Sequence, residues 1–305
     1  MYIGNLIIKN IVLSFFLLLA LPCHSLTVSV SEVAGLGINE GSGGVNPPVC
    51  FQNGHLCSLG SECCGTYCNS GFCSSTPPST DHPRIMPFGD SITFGSGSLP
   101  ITARYGYRDG LQDLLGVGVY DFVGRFTDPD TSTAYDVDHS GRGGDDTRNL
   151  LERIDSELAT YFPLPNPSGS WIILMIGTND IKDQEITETQ TIDNVQELIE
   201  TIDDWDSSIN ILVNTIIPST DSVYNPNFTA YNAALVTRLE TLNNSKANLF
   251  YGDMNAKFRT CNGGNYAPPN CMSDKLHPNN FGYTFLERGI YDCMQSSTNQ
   301  YCNGN

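Results

Sequence analysis

From Arg84 onward the chain alternates short apolar runs with helical patterns, and no other feature limits its fold as much. The runs are 84–88 (RIMPF), 119–123 (VYDFV), 171–176 (WIILMI), 209–216 (INILVNTI) and 247–252 (ANLFYG). Short runs that are apolar at successive positions suit strands covered on both faces, as in parallel sheets. Between them lie segments with helical character. Gln112 to Leu115 belong to the first, and the second runs from Thr147 through Leu150, Leu151, Ile154 and Leu158. The third carries Ile192, Val195, Leu198, Ile199 and Ile202, and the fourth Tyr231, Leu235, Leu239 and Leu242. A last helix carries Phe281, Phe285, Leu286 and Ile290. The expectation is an α/β domain over residues 84–305, with a five-stranded parallel sheet between layers of helices. Such sheets bind ligands beyond the carboxyl ends of their strands.

Four polar segments fall at that edge. The first, Gly89-Asp90-Ser91, ends a strand and starts a helix. Free backbone N–H groups and the helix dipole there favour developing negative charge, which suits a serine nucleophile. The second, SGRGGDDTRNLL at 140–151, is a glycine-rich loop opening a helix. The third is IGTND at 176–180, after the most hydrophobic strand, and the fourth is Asp274-Lys-Leu-His277-Pro, before the last helix. Ser91 needs a base. His277 is the best candidate among His24, His55, His82, His139 and itself, because Asp274 three residues earlier can orient its imidazole. Oxyanion donors would be the Ser91 N–H, a glycine N–H of 141–144 and the Asn179 amide. Each segment alone is an ordinary turn or cap. All four on one sheet edge make a shared site.

These motifs resemble the Ser-Gly-Asn-His pattern of the SGNH, or GDSL-type, hydrolases over residues 84 to about 295. The resemblance is greatest to carbohydrate esterase family three, the acetylxylan esterases. It rests on MPFGDSITFG, Gly106-Tyr107-Arg108, DFVG, the HSG stretch, LMIGTND and HPNNFGY. It implies a three-layer α/β/α flavodoxin-like fold and cofactor-free release of acetate from acetylated polysaccharide. It also implies Ser91 as nucleophile, His277 as base, Asp274 as its partner, and Asn179 with a loop glycine as oxyanion donors. Where the family has one obvious glycine this chain has Gly141, Gly143 and Gly144. Counting back from the helix positions Thr147, Leu150 and Ile154 selects Gly144, whereas His139-Ser140-Gly141 favours Gly141. Gly144 is the choice carried forward. A general short-chain esterase or lipase would use the same site.

The remaining sequence points to the outside of the cell. Residues 1–25 read as a signal peptide, with Lys9 before an apolar run too short for a bilayer span and small residues near Leu26. Its removal would leave no membrane segment. The net charge is −18, which disfavours nucleic acid as a partner. Ten of the 11 cysteines lie after the signal, an even number as disulfides require. Asn227 and Asn243 head glycosylation sequons. Residues 26–49 read as a flexible leader, 50–73 as a cysteine module and 74–83 as a Ser-, Thr- and Pro-rich linker. The module's spacing, with the adjacent Cys63 and Cys64, resembles inhibitor-cystine-knot peptides. That resemblance implies Cys50–Cys64, Cys57–Cys68 and Cys63–Cys73. Two further bridges are expected, Cys261–Cys271 before the His277 loop and Cys293–Cys302 at the C-terminus. The module could attach the protein to carbohydrate through Phe51, Tyr67 and Phe72. A reading from another class makes the module the working part, a binder of carbohydrate or protein beside a degenerate hydrolase domain. The chain is expected to act as a monomer, with no cofactor and no metal.

Overall fold

The computed structural model describes residues 67–69, 72–74, 82–99, 105–128, 135–262, 269–296 and 301–302. The signal peptide, the leader, linker residues 75–81 and module residues 50–66 lie outside them. Within the module, β1 (Tyr67–Asn69) and β2 (Phe72–Ser74) pair antiparallel, with Cys68 opposite Cys73. The three expected knot bridges each have a partner outside the described residues.

The larger sheet contains β3 (Arg84–Gly89), β4 (Asp121–Phe122), β5 (Phe126–Thr127) and β6 (Asp138–Gly141). It continues with β7 (Trp171–Met175), β8 (Asn210–Asn214), β9 (Leu249–Gly252) and β10 (Tyr301–Cys302). Seven strands lie in the order β10-β9-β8-β7-β3-β6-β5, and β4 is an eighth, also beside β3. This corrects the expected five strands. The run at 119–123 forms only the two-residue β4, while the polar stretch Asp138–Gly141 completes that edge as β6. β5 runs antiparallel to β6, so the sheet is mostly rather than wholly parallel.

Among the parallel strands, β6 lies to one side of β3 and β7, β8 and β9 to the other. This is the 2-1-3-4-5 order of flavodoxin-like folds, and it reverses at β3. Ser91 follows at the carboxyl end of β3, the switch point at which sheets of this kind bind their ligands.

The helices are α1 (Ser91–Phe94), α2 (Arg108–Leu115), α3 (Thr147–Leu151), α4 (Ile154–Tyr161) and α5 (Thr178–Asp183). They continue with α6 (Glu188–Trp205), α7 (Asn225–Asn243), α8 (Met254–Arg259) and α9 (Asn280–Met294). The pattern from Thr147 to Leu158 predicts one helix, but the chain breaks it at Glu152–Arg153. Side chains alternate across the strands and build two cores. Met86, Phe88, Ile172, Leu174, Ile211 and Val213 pack against α3, α4, α6 and α7. Ile85, Ile173, Met175 and Leu212 pack on the other face, against α1, α2, α8 and α9. Those two apolar faces make the three layers. Asn227 and Asn243 both lie on α7.

Candidate active site

Ser91 follows β3 at a turn fixed by its neighbours. Asp90 is extended, and its carboxylate accepts the Ile92 N–H at 2.9 Å, capping α1. α1 is a single turn that begins at Ser91, whose side chain sits at the surface of the core, 9% exposed. The buried Tyr283 of α9 donates its hydroxyl to the carbonyls of Ile92 (3.2 Å) and Ser96 (2.7 Å). Asn280 accepts the Leu99 N–H at 2.6 Å and donates to its carbonyl at 2.8 Å. One helix thus pins the segment that carries the serine.

The same helix fixes the histidine loop before it. Met272 and Pro278 form a β-bridge, the Ser273 N–H donates to the His277 carbonyl at 2.8 Å, and Asn279 N–H donates to Cys271 at 2.9 Å. Cys261 is bridged to Cys271, with Cα atoms 6.5 Å apart. In this loop His277 Nε2 lies 2.9 Å from Ser91 Oγ, and its Nδ1 lies 2.7 Å from Asp274 Oδ2. Asp274 Oδ1 accepts the N–H groups of Leu276 (2.7 Å) and His277 (2.8 Å). A carboxylate at Nδ1 keeps the proton there and leaves the Nε2 lone pair facing the serine hydroxyl. Partial burial alone would raise the Asp274 carboxyl. Hydrogen bonds from the His277 ring and the two backbone donors outweigh it and hold that carboxyl below its ordinary value. From the other side, Ser219 Oγ and Thr220 N–H donate to the Lys275 carbonyl at 2.7 and 3.0 Å.

The two other segments follow neighbouring strands at the same level. Gly89 pairs with Gly141 on one side and Met175 on the other. The Arg142 N–H donates to the Gly89 carbonyl at 3.1 Å. Gly141 is held inside the ladder, and a Cβ there would lie 2.5 Å from Phe94 N and 2.6 Å from Thr93 C. Its glycine is a packing requirement of α1 against β6. Gly144 instead lies exposed on the loop with φ +86°, a conformation that favours glycine. Asn179, in the first turn of α5, donates Nδ2 to the Asp145 carbonyl at 2.8 Å. One hydrogen of that NH₂ is used, and the second is left for another acceptor. Asp180 accepts from Thr147 N (3.1 Å) and Thr147 Oγ1 (2.6 Å), locking α5 to the start of α3.

A serine–histidine–aspartate chain at the reversal point of such a sheet has counterparts among known proteins. The family described as GDSL-like Lipase/Acylhydrolase matches residues 88–285, which include Ser91, Gly144, Asn179, Asp274 and His277. The chain belongs to this family. No curated protein matches this acylhydrolase. Solved structures do. A carbohydrate esterase family 3 protein from Talaromyces cellulolyticus is similar at 19% identity and TM-score 0.55, over 68% of this chain and 94% of that one. A family 3 carbohydrate esterase from Clostridium thermocellum is similar at 23% identity and TM-score 0.56, over 68% and 93%. Axe2, an acetylxylan esterase from Geobacillus stearothermophilus, is similar at 17% identity and TM-score 0.51, over 70% and 94%. At these identities the likeness establishes the fold.

The remaining histidine near the acylhydrolase's glycine loop has a different place. His139 is fully buried between the rings of Phe94 and Phe126, with its Nδ1 accepting the Gly141 N–H at 3.1 Å. Burial, together with the Arg108 charge, pushes its pKa down to about 4. Sequence reasoning missed Tyr283, Asn280 and Arg153. Asn280 and Tyr283 stand in the HPNNFGY stretch, which stands out only for its resemblance, and Arg153 does not stand out; only the tertiary fold brings their partners within reach.

Proposed function

We propose that this acylhydrolase is a secreted serine esterase that removes O-acetyl groups from plant-type polysaccharide such as acetylated xylan. The observation that carries the esterase reading is the unbroken chain from Asp274 through both ring nitrogens of His277 to Ser91 Oγ. Ser91 Oγ attacks the acetyl carbonyl carbon while His277 Nε2 takes its proton. The carbonyl π bond opens, and its oxygen becomes an anion. Donors for it are the N–H groups of Ser91 and Gly144 and the free amide hydrogen of Asn179. Collapse breaks the bond to the sugar oxygen, which leaves with the proton from His277. Water, deprotonated by the same histidine, then attacks the acetyl-serine and releases acetate.

The acetyl and carbohydrate parts of the reading draw on the motif resemblance and on the carbohydrate esterase neighbours. Secretion draws on residues 1–25 and on the expected disulfides. Residues 50–73 would then hold the enzyme on insoluble polysaccharide. The deciding experiment measures acetate released from acetylated xylan against hydrolysis of long-chain esters, with Ser91→Ala beside the wild type. Acetate release that falls by a factor of about 10⁴ in the variant supports the reading. Preference for long acyl chains would make the enzyme a lipase, and an active Ser91→Ala would remove Ser91 as nucleophile.

A further inference from the structure

We propose that Arg153 is a positioning residue for the oxyanion donors, which deepens the esterase reading and rests on it. Backbone bonds hold the loop 141–144 at two points: the Arg142 N–H donates to the Gly89 carbonyl at 3.1 Å, and the Asp145 N–H to the Arg142 carbonyl at 3.3 Å. Between those points, Gly143 and Gly144 meet only their chain neighbours within 4 Å of where a Cβ would be, so side-chain packing does not restrain them. Both ends of the loop are instead tied to one guanidinium. Arg153 Nη2 donates to the Ser140 carbonyl at 2.8 Å, immediately before the loop. Its Nη1 pairs with the Asp145 carboxylate, immediately after the loop. The Asp145 carbonyl is in turn the acceptor of Asn179 Nδ2, at 2.8 Å. One side chain therefore sets the span of the glycine loop and, through Asp145, the direction of the Asn179 amide.

The guanidinium is itself fixed from every side. Its Nε donates to Glu157 Oε1 at 2.9 Å, and the other oxygen of Glu157 accepts the Ser140 hydroxyl. Its Cζ lies 4.9 Å from the centroid of the Phe88 ring on β3. The residue is only 7% exposed, and it stands in the break between α3 and α4 as the N-cap residue of α4. A rigid planar fork can serve three acceptors at once, whereas a lysine ammonium is a single point charge on a flexible stem.

Donors that are present but displaced lose their advantage where the charge develops. A misplacement of about 1 Å costs up to about 100-fold in rate. Arg153→Lys, in the full chain, is expected to lower kcat on a soluble aryl acetate by about 10- to 100-fold, with KM within about twofold. Asp145→Asn retains the carbonyl that Asn179 needs but loses the ion pair, so it should show the same kcat-only loss. The double variant should be no slower than Arg153→Lys alone, because both act on one contact. A purely structural role would lower the melting temperature and leave kcat of the folded enzyme intact. A folded Arg153→Lys with wild-type kcat, a loss confined to KM, or additive losses in the double variant would each overturn the proposal. Should Arg153→Lys fail to fold, Asp145→Asn decides alone, and an unchanged kcat there overturns it. Ser91→Ala measured alongside separates the two readings. If it stays active, the esterase reading fails; if it alone is inactive, only the Arg153 assignment fails.

Discussion

Asp90 offers a direct test of how the nucleophile's turn is built. Its carboxyl is fully buried beside Ser91, and one oxygen accepts the Ile92 N–H. Burial raises its pKa from the ordinary 3.8 to about 6, and the Ile92 N–H offsets this only in part. Between those two values the folded protein holds the proton more firmly than the unfolded chain does. Stability contributed at this site is therefore present at low pH and is lost as pH rises through that window. From pH 4 to pH 7 the loss comes to about 2 kcal/mol, at about 1.36 kcal/mol per pKa unit. Asp90→Asn keeps an oxygen for the Ile92 N–H and cannot ionise. Its melting temperature relative to wild type should therefore rise across the same window, by about 4–8 °C for a domain of this size. The measurement is a pair of thermal melts, wild type and variant, at several pH values between 4 and 7. A melting-temperature difference that stays flat across that range would refute a raised Asp90 pKa, whatever the absolute effect of the substitution.

Two further outcomes are expected. Asp274→Asn retains an acceptor for the Leu276 and His277 N–H groups but turns an NH₂ toward Nδ1. That moves the ring proton to Nε2, so kcat should fall by about 10²- to 10⁴-fold with little change in KM, as steady-state kinetics on an aryl acetate would show. Retention of a third or more of the rate would rule out the tautomer argument. Cys293 and Cys302 are paired with Cα atoms 5.2 Å apart, and this tie holds β10 along the outer edge of β9. Cys302→Ser should lower the melting temperature while leaving kcat unchanged, and a fall in kcat without a loss of stability would contradict that purely structural role.

The strands that the sequence reveals are those buried on both faces by apolar contacts alone. All five residues of Trp171–Met175 are buried, so the run is visible without knowing its neighbours. β6 is different. His139 and Ser140 are fully buried, yet they are polar, and their burial depends on partners from distant parts of the chain. Glu157 accepts the Ser140 hydroxyl, and Arg153 donates to the Ser140 carbonyl. No local pattern can show that, so the stretch reads as a loop. The same distinction runs through the site. Ser91, Asn179, Asp274 and His277 are chemically specialised and stand at strand ends or on the loop before the last helix, where their residue types already suggest a purpose. Arg153 looks in sequence like a solvated charge on the face of one helix running from Thr147 to Leu158. Only folding shows that the helix breaks there and that Ser140, Asp145 and Glu157 converge on its guanidinium. Groups that touch the reacting atoms must be of particular chemical kinds, and so a sequence exposes them. Groups that hold them are ordinary residue types whose partners lie far along the chain, and those partners converge only once the sheet has formed.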